Sequence, residues 1–274
     1  MRDLAPSLSA KHSTDLSALC SEWRICTAYL NERLPMLDQY KNLFVTELTR
    51  LNGFNIVLTG GPSVGKSTMA EWLASIGAIL RPEMASILIQ AANKYLRENG
   101  HGPASQDTVV VAKFKELGLF HPMVDNAAFQ TELMQRQEEQ EHGYVHRTVR
   151  EFVCFDRANP DNYPYCDHYG VPYPKGFETL TPPPAMRYDL CLLLQSFDRY
   201  VDNGVRVEGT DAGVEFAKII GPLLGAEYRK HGVPVIEVPA FSNAVAEISI
   251  QQRKDFIWKQ ICDYAEQKMA KLAA

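Results

Sequence analysis

The chain has no long apolar run, no excess of basic charge and no paired cysteines, and each lack removes a class of function. The start Met1-Arg2-Asp3-Leu4-Ala5-Pro6 leads into no apolar stretch, and no run approaches the roughly 20 residues of a membrane span. A soluble, cytoplasmic protein without a transmembrane segment is the expectation. Lys and Arg number 28 against 33 Asp and Glu, a net charge of -5, so nucleic acid is not expected as a partner. Six cysteines (Cys20, Cys26, Cys154, Cys166, Cys191, Cys262) form no Cys-x-x-Cys pair, which points to reduced thiols rather than a zinc site or a disulfide framework. His121, His142, His146 and His168 show no metal spacing either, and no internal repeat or low-complexity tract is evident.

What is present starts with helical periodicity. Leu16, Leu19, Trp23, Cys26 and Leu30 fall at steps of three and four, Pro35 ends that stripe, and Leu37, Tyr40, Phe44, Leu48 and Leu51 form a second one closed by Asn52-Gly53. These predict a helical hairpin extension over residues 1–52, whose apolar stripe must be buried on the following domain or on another chain. A homo-oligomer or a protein partner held through the hairpin is therefore expected.

From residue 53 to 274 the pattern changes to alternating strands and helices, which predicts an α/β domain with a five-stranded parallel sheet flanked by helices. The expected strands are 54–59, 78–82, 152–156, 188–194 and 234–238, each short and nearly all apolar, as strands buried on both faces are. About seventy residues between the second and third strands read as three helices, with room for a substrate region. The proline-rich stretch 160–186 reads as a long loop.

Directly after the first strand comes Gly60-Gly61-Pro62-Ser63-Val64-Gly65-Lys66-Ser67-Thr68, a match to the Walker A phosphate-binding loop, Gly-x-x-x-x-Gly-Lys-[Ser/Thr]. The glycines let backbone N–H groups turn inward onto phosphate oxygens, Lys66 adds a point charge, Ser67 can ligate magnesium, and the helix that follows presents its positive end. A strand before and a helix after are the context the motif requires, so nucleotide binding by residues 60–68 is the first functional expectation.

In an open parallel sheet ligands gather at the C-terminal ends of the strands, so the residues just after each strand are the ones placed for chemistry. Glu83, after the second strand, can act as a general base or accept a substrate hydroxyl, or it can be an acidic residue that the helix dipole favours. After the third strand come Asp156, Arg157 and Asp161: Asp156 can hold the magnesium shell or accept a hydroxyl proton, and Arg157 can fork onto a phosphate or an acid. After the fourth strand, Arg199 and Arg206 lie in a Gly-containing segment, and Arg206, just past Gly204, suits a mobile lid that neutralises a transferring phosphoryl group. Pro239-Ala240-Phe241-Ser242-Asn243 is a loop of the kind that packs on a base. Asn93-Lys94-Tyr95-Leu96 lacks the acidic residue that reads guanine and is assigned to a helix.

The order of these motifs resembles the AAA-type P-loop family that groups the nicotinamide riboside kinase domain of NadR proteins with the TRPL translocation defect proteins. The resemblance rests on the Walker A loop, Pro82-Glu83-Met84-Ala85, Phe155-Asp156-Arg157-Ala158-Asn159-Pro160-Asp161, Asp202-Asn203-Gly204-Val205-Arg206, the segment Tyr228 to Pro239, and Gln252-Arg253-Lys254-Asp255-Phe256-Ile257. It covers residues 54 to about 262 and leaves the hairpin outside. Ser86 stands where the family usually has Arg, and Ala158 where Gly is usual, departures that point to an acceptor pocket different from that of either named branch.

The resemblance implies a kinase-like fold that binds ATP with Mg2+ and places an acceptor beside Glu83 and Asp156. The expected activity is ATP- and magnesium-dependent phosphotransfer to a small, nucleoside-like hydroxyl acceptor. Lys66, Asp156, Arg206 and Glu83 are the expected catalytic residues, Glu83, Asp156, Arg157 and Asp161 the substrate-binding ones, and Ser67 and Asp156 the metal ligands. The alternative is a nucleotide-gated regulatory binding protein, for ATP or GTP, with a protein or lipid partner.

Overall fold

The computed structural model describes residues 53–101, 108–145, 151–196, 210–241 and 246–273. The expected hairpin over 1–52, both lid arginines, Arg199 and Arg206, and Ser242 and Asn243 lie outside the described residues. In chain order the elements are β1 (Phe54–Thr59), α1 (Lys66–Ser75), β2 (Ile79–Arg81), α2 (Met84–Glu98), α3 (Thr108–Leu117), α4 (Asn126–Val145), β3 (Phe152–Asp156), a 3-10 turn (Asn159–Asp161), α5 (Asn162–Tyr169), α6 (Pro184–Arg187), β4 (Leu190–Leu194), α7 (Thr210–Lys230), β5 (Val235–Val238) and α8 (Ala246–Ala273). The sheet and the loops at its strand ends belong to a compact unit spanning Asp38–Ile257; the end of α8, from Trp258, belongs to another.

The five strands run in the order β2-β3-β1-β4-β5 and every pairing is parallel, so each connection must cross over and each strand ends on the same edge. β1 is central; Leu58 pairs with Asp156 on one side and with Leu192 on the other. Alternate residues Val57, Val153, Phe155 and Cys191 join Tyr188, Tyr228 and Val233 in one core cluster, while their neighbours Ile56, Leu58, Cys154 and Leu192 are equally buried. Both faces of the sheet are therefore covered, which is why these strands read as continuous apolar runs rather than alternating ones. α1 packs across β1, β2 and β3, and α7 across β1, β4 and β5.

The expected α/β class, the five strands and the three helices between the second and third strands are all present, and Asn93 to Leu96 lies within α2. Three differences have physical causes. The edge strands β2 and β5 are only half-buried, because each has a neighbour on one side alone. β4 starts two residues later than expected: Asp189 spends its carboxylate and N–H on the Asn55 backbone, Oδ2 accepting at 2.8 Å and N donating at 2.8 Å. The stretch 160–186 is not one loop. Asn159-Pro160 opens a helical turn, and α5 closes on Gly170 at φ +62°, where the Val171 N–H reaches back to the Cys166 carbonyl at 2.9 Å. The described cysteines, Cys154, Cys166, Cys191 and Cys262, are buried free thiols, as expected.

Candidate functional site

The phosphate loop is held in a shape that only part of its sequence could adopt freely. Gly60 has φ +139°, Ser63 +55° and Gly65 +82°. A side chain on Gly60 would also meet the Leu194 carbonyl oxygen at 2.5 Å, and one on Gly61 would meet Ala217 of α7 at 2.6 Å. These close approaches explain both leading glycines: the loop turns tightly over β4 and lies against the small residues of α7.

Lys66 opens α1 and is buried, its ammonium donating to the carbonyls of Gly61 at 2.8 Å and Gly60 at 3.3 Å. Ser67 Oγ donates to Asp156 Oδ2 at 3.1 Å, which joins the loop to the end of β3. The other oxygen of that carboxylate, Oδ1, is buried and has no hydrogen-bond partner among the described residues. Burial pushes the Asp156 carboxyl up to about 6 and the charge of Glu83 adds to this, against the pull of Lys66, Arg157 and the Ser67 bond. A buried carboxylate with an orphan oxygen beside a serine hydroxyl fits a magnesium ion. Among the described residues no cluster of three or more His, Cys, Asp or Glu could hold a metal by itself; magnesium commonly takes only one or two protein ligands and completes its shell with water and phosphate.

Next to this pair the chain builds a buried ionic triad. Arg157 sits just past β3 at φ +69°, with its N–H still bonded to the Leu58 carbonyl at 3.0 Å. That turn aims its guanidinium between two carboxylates: Nε donates to Glu83 Oε1 at 2.7 Å and Nη1 to Asp161 Oδ2 at 3.1 Å. Thr59, the last residue of β1, donates to Asp161 at 2.8 Å, and Ser86 donates to Glu83 Oε2 at 2.7 Å. The guanidinium carbon also lies 5.2 Å from the Tyr165 ring centre, while Nη2 is buried without a hydrogen-bond partner among the described residues. An arginine in the left-handed region is strained, and such strain persists only where surrounding contacts over-determine it; here four do.

A cavity of about 530 Å3 opens on these residues. It is lined by Ser63 to Thr68 of the phosphate loop, by Asp156 and Glu83, and by Ser86, Ile87 and Gln90 of α2. The structure thus gathers Lys66, Ser67, Glu83 and Asp156 around one space, as the strand-end reading expected. Arg157 and Asp161 sit behind it and are engaged with Glu83 and Thr59, and Asp161 is 1% exposed. Sequence reasoning did not single out Thr59, Ile87, Gln90 or Glu71, which lines the cavity from α1. The i, i+3 and i, i+4 spacing of Glu83, Ser86, Ile87 and Gln90 was the available signal, since it puts them on one helix face.

The family model of the AAA domain matches residues 55–247, most of the chain and nearly all of the span over which the motifs resembled that family. No curated protein matches. Among solved structures, the crystal structure of a NadR protein in complex with NR is similar over 80% of this chain at 16% identity and a TM-score of 0.44. The chain spans about half, 53%, of the length of that protein.

Proposed function

The chain belongs to the AAA domain family, and from that premise we propose that it transfers the γ-phosphoryl group of ATP to the hydroxyl of a small, nucleoside-like acceptor. The observation that carries this reading is the continuity of the cavity from Lys66 and Ser67 through Asp156 and Glu83 to the α2 wall at Ser86, Ile87 and Gln90. A hydrolase needs room only for water beside the phosphates. The lining from α2, beyond the phosphate loop, supports an acceptor beside the phosphates.

The roles follow from the charges. Lys66, released from the loop carbonyls, neutralises the outer phosphates as charge develops on the transferring group. Ser67 and Asp156 would hold magnesium, which would supply positive charge to offset that of the phosphates. Glu83 orients the acceptor hydroxyl and takes its proton as the oxygen bonds to phosphorus and ADP departs. Its carboxylate is set at the required angle by Arg157 and Ser86 and needs no reorganisation during transfer. Arg157 and Asp161 contribute from behind the cavity by holding Glu83 and Thr59. Arg206 serves as the lid cation that completes neutralisation of the phosphoryl group.

The test is to incubate the protein with labelled ATP and a pool of metabolites, nucleosides and nicotinamide riboside among them, and to search by mass for a phosphorylated product. The product should appear with wild type and fall at least about a hundredfold with Lys66→Ala and with Asp156→Ala. ADP release without any acceptor product overturns transfer and leaves a hydrolase or a nucleotide-gated binding protein.

A further inference from the structure

Arg253 on α8 is 1% exposed, and its guanidinium spans three backbone carbonyls from three strand-end loops. Nη1 donates to Val64 in the phosphate loop, Nη2 to Gln195 after β4 at 2.8 Å, and Nε to Pro239 after β5 at 3.0 Å. β1, β4 and β5 are consecutive neighbours in the sheet, so one side chain ties together the loops after three of its five strands. Its neighbours on α8 reinforce the clasp. Phe256 stacks at a tilt with Phe241 at 5.9 Å, and the Lys254 ammonium lies 5.9 Å from the Trp72 ring centre on α1. Burial lowers the Arg253 pKa to about 10, which leaves the guanidinium ionised at neutral pH.

The contact with Val64 has a direct consequence for phosphate binding. In a planar trans peptide the C=O and the next N–H point in opposite directions, so a Val64 carbonyl held from behind puts the Gly65 N–H on the opposite side. Val64 lies between two residues with positive φ, Ser63 and Gly65, a conformation that stays in place only when neighbours fix it. A cation on the carbonyl also polarises the peptide and strengthens its N–H as a donor. We propose that Arg253 is the positioning residue of the phosphate loop: it holds the Val64–Gly65 peptide with its N–H toward the nucleotide phosphates and locks the loop to the ends of β4 and β5. The proposal rests on nucleotide binding at the loop and not on phosphoryl transfer.

Two variants of the full chain test it, Arg253→Met and Arg253→Lys, with magnesium ATP titrated calorimetrically and amide exchange followed in the nucleotide-free protein. Arg253→Met should weaken ATP about tenfold, the loss of one charge-assisted hydrogen bond to the loop. Arg253→Lys keeps the charge but not the three-way fork and should weaken ATP a few-fold, about threefold. In both, exchange over residues 60–68 should quicken while exchange over 152–156 stays as in wild type. Wild-type ATP affinity in either folded variant overturns the proposal, and so does equal acceleration in both segments, which marks a general role in the fold. If Arg253→Met does not fold, Arg253→Lys decides by the same criteria. A wild-type protein that binds ATP but forms no acceptor product defeats the proposed function alone, whereas one that binds no nucleotide overturns both.

Discussion

Two buried charge clusters lie in the sheet-bearing unit, and they treat their polar atoms differently. Around Arg187 every bond is closed: its guanidinium donates to Glu138 at 2.6 and 2.9 Å, to Glu141 at 3.0 Å, and to the carbonyls of Thr181 and Pro182 at 2.9 and 2.8 Å. Asn159 donates its N–H to Glu141 and its amide to Glu138, and the Tyr188 hydroxyl donates to Glu141. At the phosphate-loop edge, Asp156 Oδ1, Ser63 Oγ and Arg157 Nη2 are buried with no partner among the described residues. Burial and charge are common to both clusters and therefore identify neither as a site. Unfinished pairing beside a cavity separates them: the first cluster is complete as a structural clamp between α4, α6 and the 3-10 turn, and the second has bonding capacity left for a ligand.

The largest expected effect breaks the complete cluster. Arg187→Met leaves the buried Glu141, and the partly exposed Glu138 beside it, without their cation, and should cost about 3 kcal/mol of stability, a fall in Tm of about 10 °C, with ATP affinity unchanged in the protein that remains folded. Thermal melts and calorimetric titration check both halves. Lost affinity with preserved folding would move Arg187 into the functional group and dissolve the contrast.

The opposite sign is expected at the incomplete cluster. Burial raises the folded Asp156 pKa from 3.8 to about 6, so above pH 6 the ionised carboxylate costs stability; the cost shrinks as pH falls and vanishes below about pH 4, where the group is protonated in both states. Asp156→Asn should therefore stabilise the nucleotide-free protein by about 1–2 kcal/mol at pH 7.5 and by nothing at pH 3.5, while abolishing product formation. Melts of both proteins across that range give the answer, and an equal effect at both ends contradicts the assigned cause. A smaller effect sharpens the boundary between clusters and cavity. Ser86→Ala removes one bond to Glu83 Oε2 and should cost about 1 kcal/mol with no change in ATP affinity, read by melting and titration. A loss of ATP affinity would place Glu83 on the donor side rather than the acceptor side.

How much was legible depended on distance along the chain. The phosphate loop was readable because its donors, lysine and hydroxyl are contiguous, and its geometry follows from which residues tolerate positive φ. Asp156 and Glu83 were readable because a parallel sheet brings strand ends to one edge. Their partnerships were not. Glu83 and Arg157 are 74 residues apart, Arg187 and Glu138 are 49, and Arg253 and Val64 are 189, and nothing in the local pattern of either partner names the other. The helix at Asn162–Tyr169 was missed for a different reason, since Pro160 and Pro164 suggested a loop although both fit the first turns of helical segments.

By itself the sequence determined the α/β class, the number of strands, the place of the phosphate loop and the edge on which its partners would stand. These follow from local rules: apolar runs, glycine conformations and the handed connections of parallel strands. The tertiary structure alone decided which charges pair off and which stay available, because pairing is set by directions in space that hundreds of weak contacts fix together. Arg157 shows this most clearly. As a residue after a strand it was as eligible for substrate as Asp156, but its left-handed turn points it back between Glu83 and Asp161, whereas Asp156 lines the cavity with one carboxylate oxygen unpartnered among the described residues.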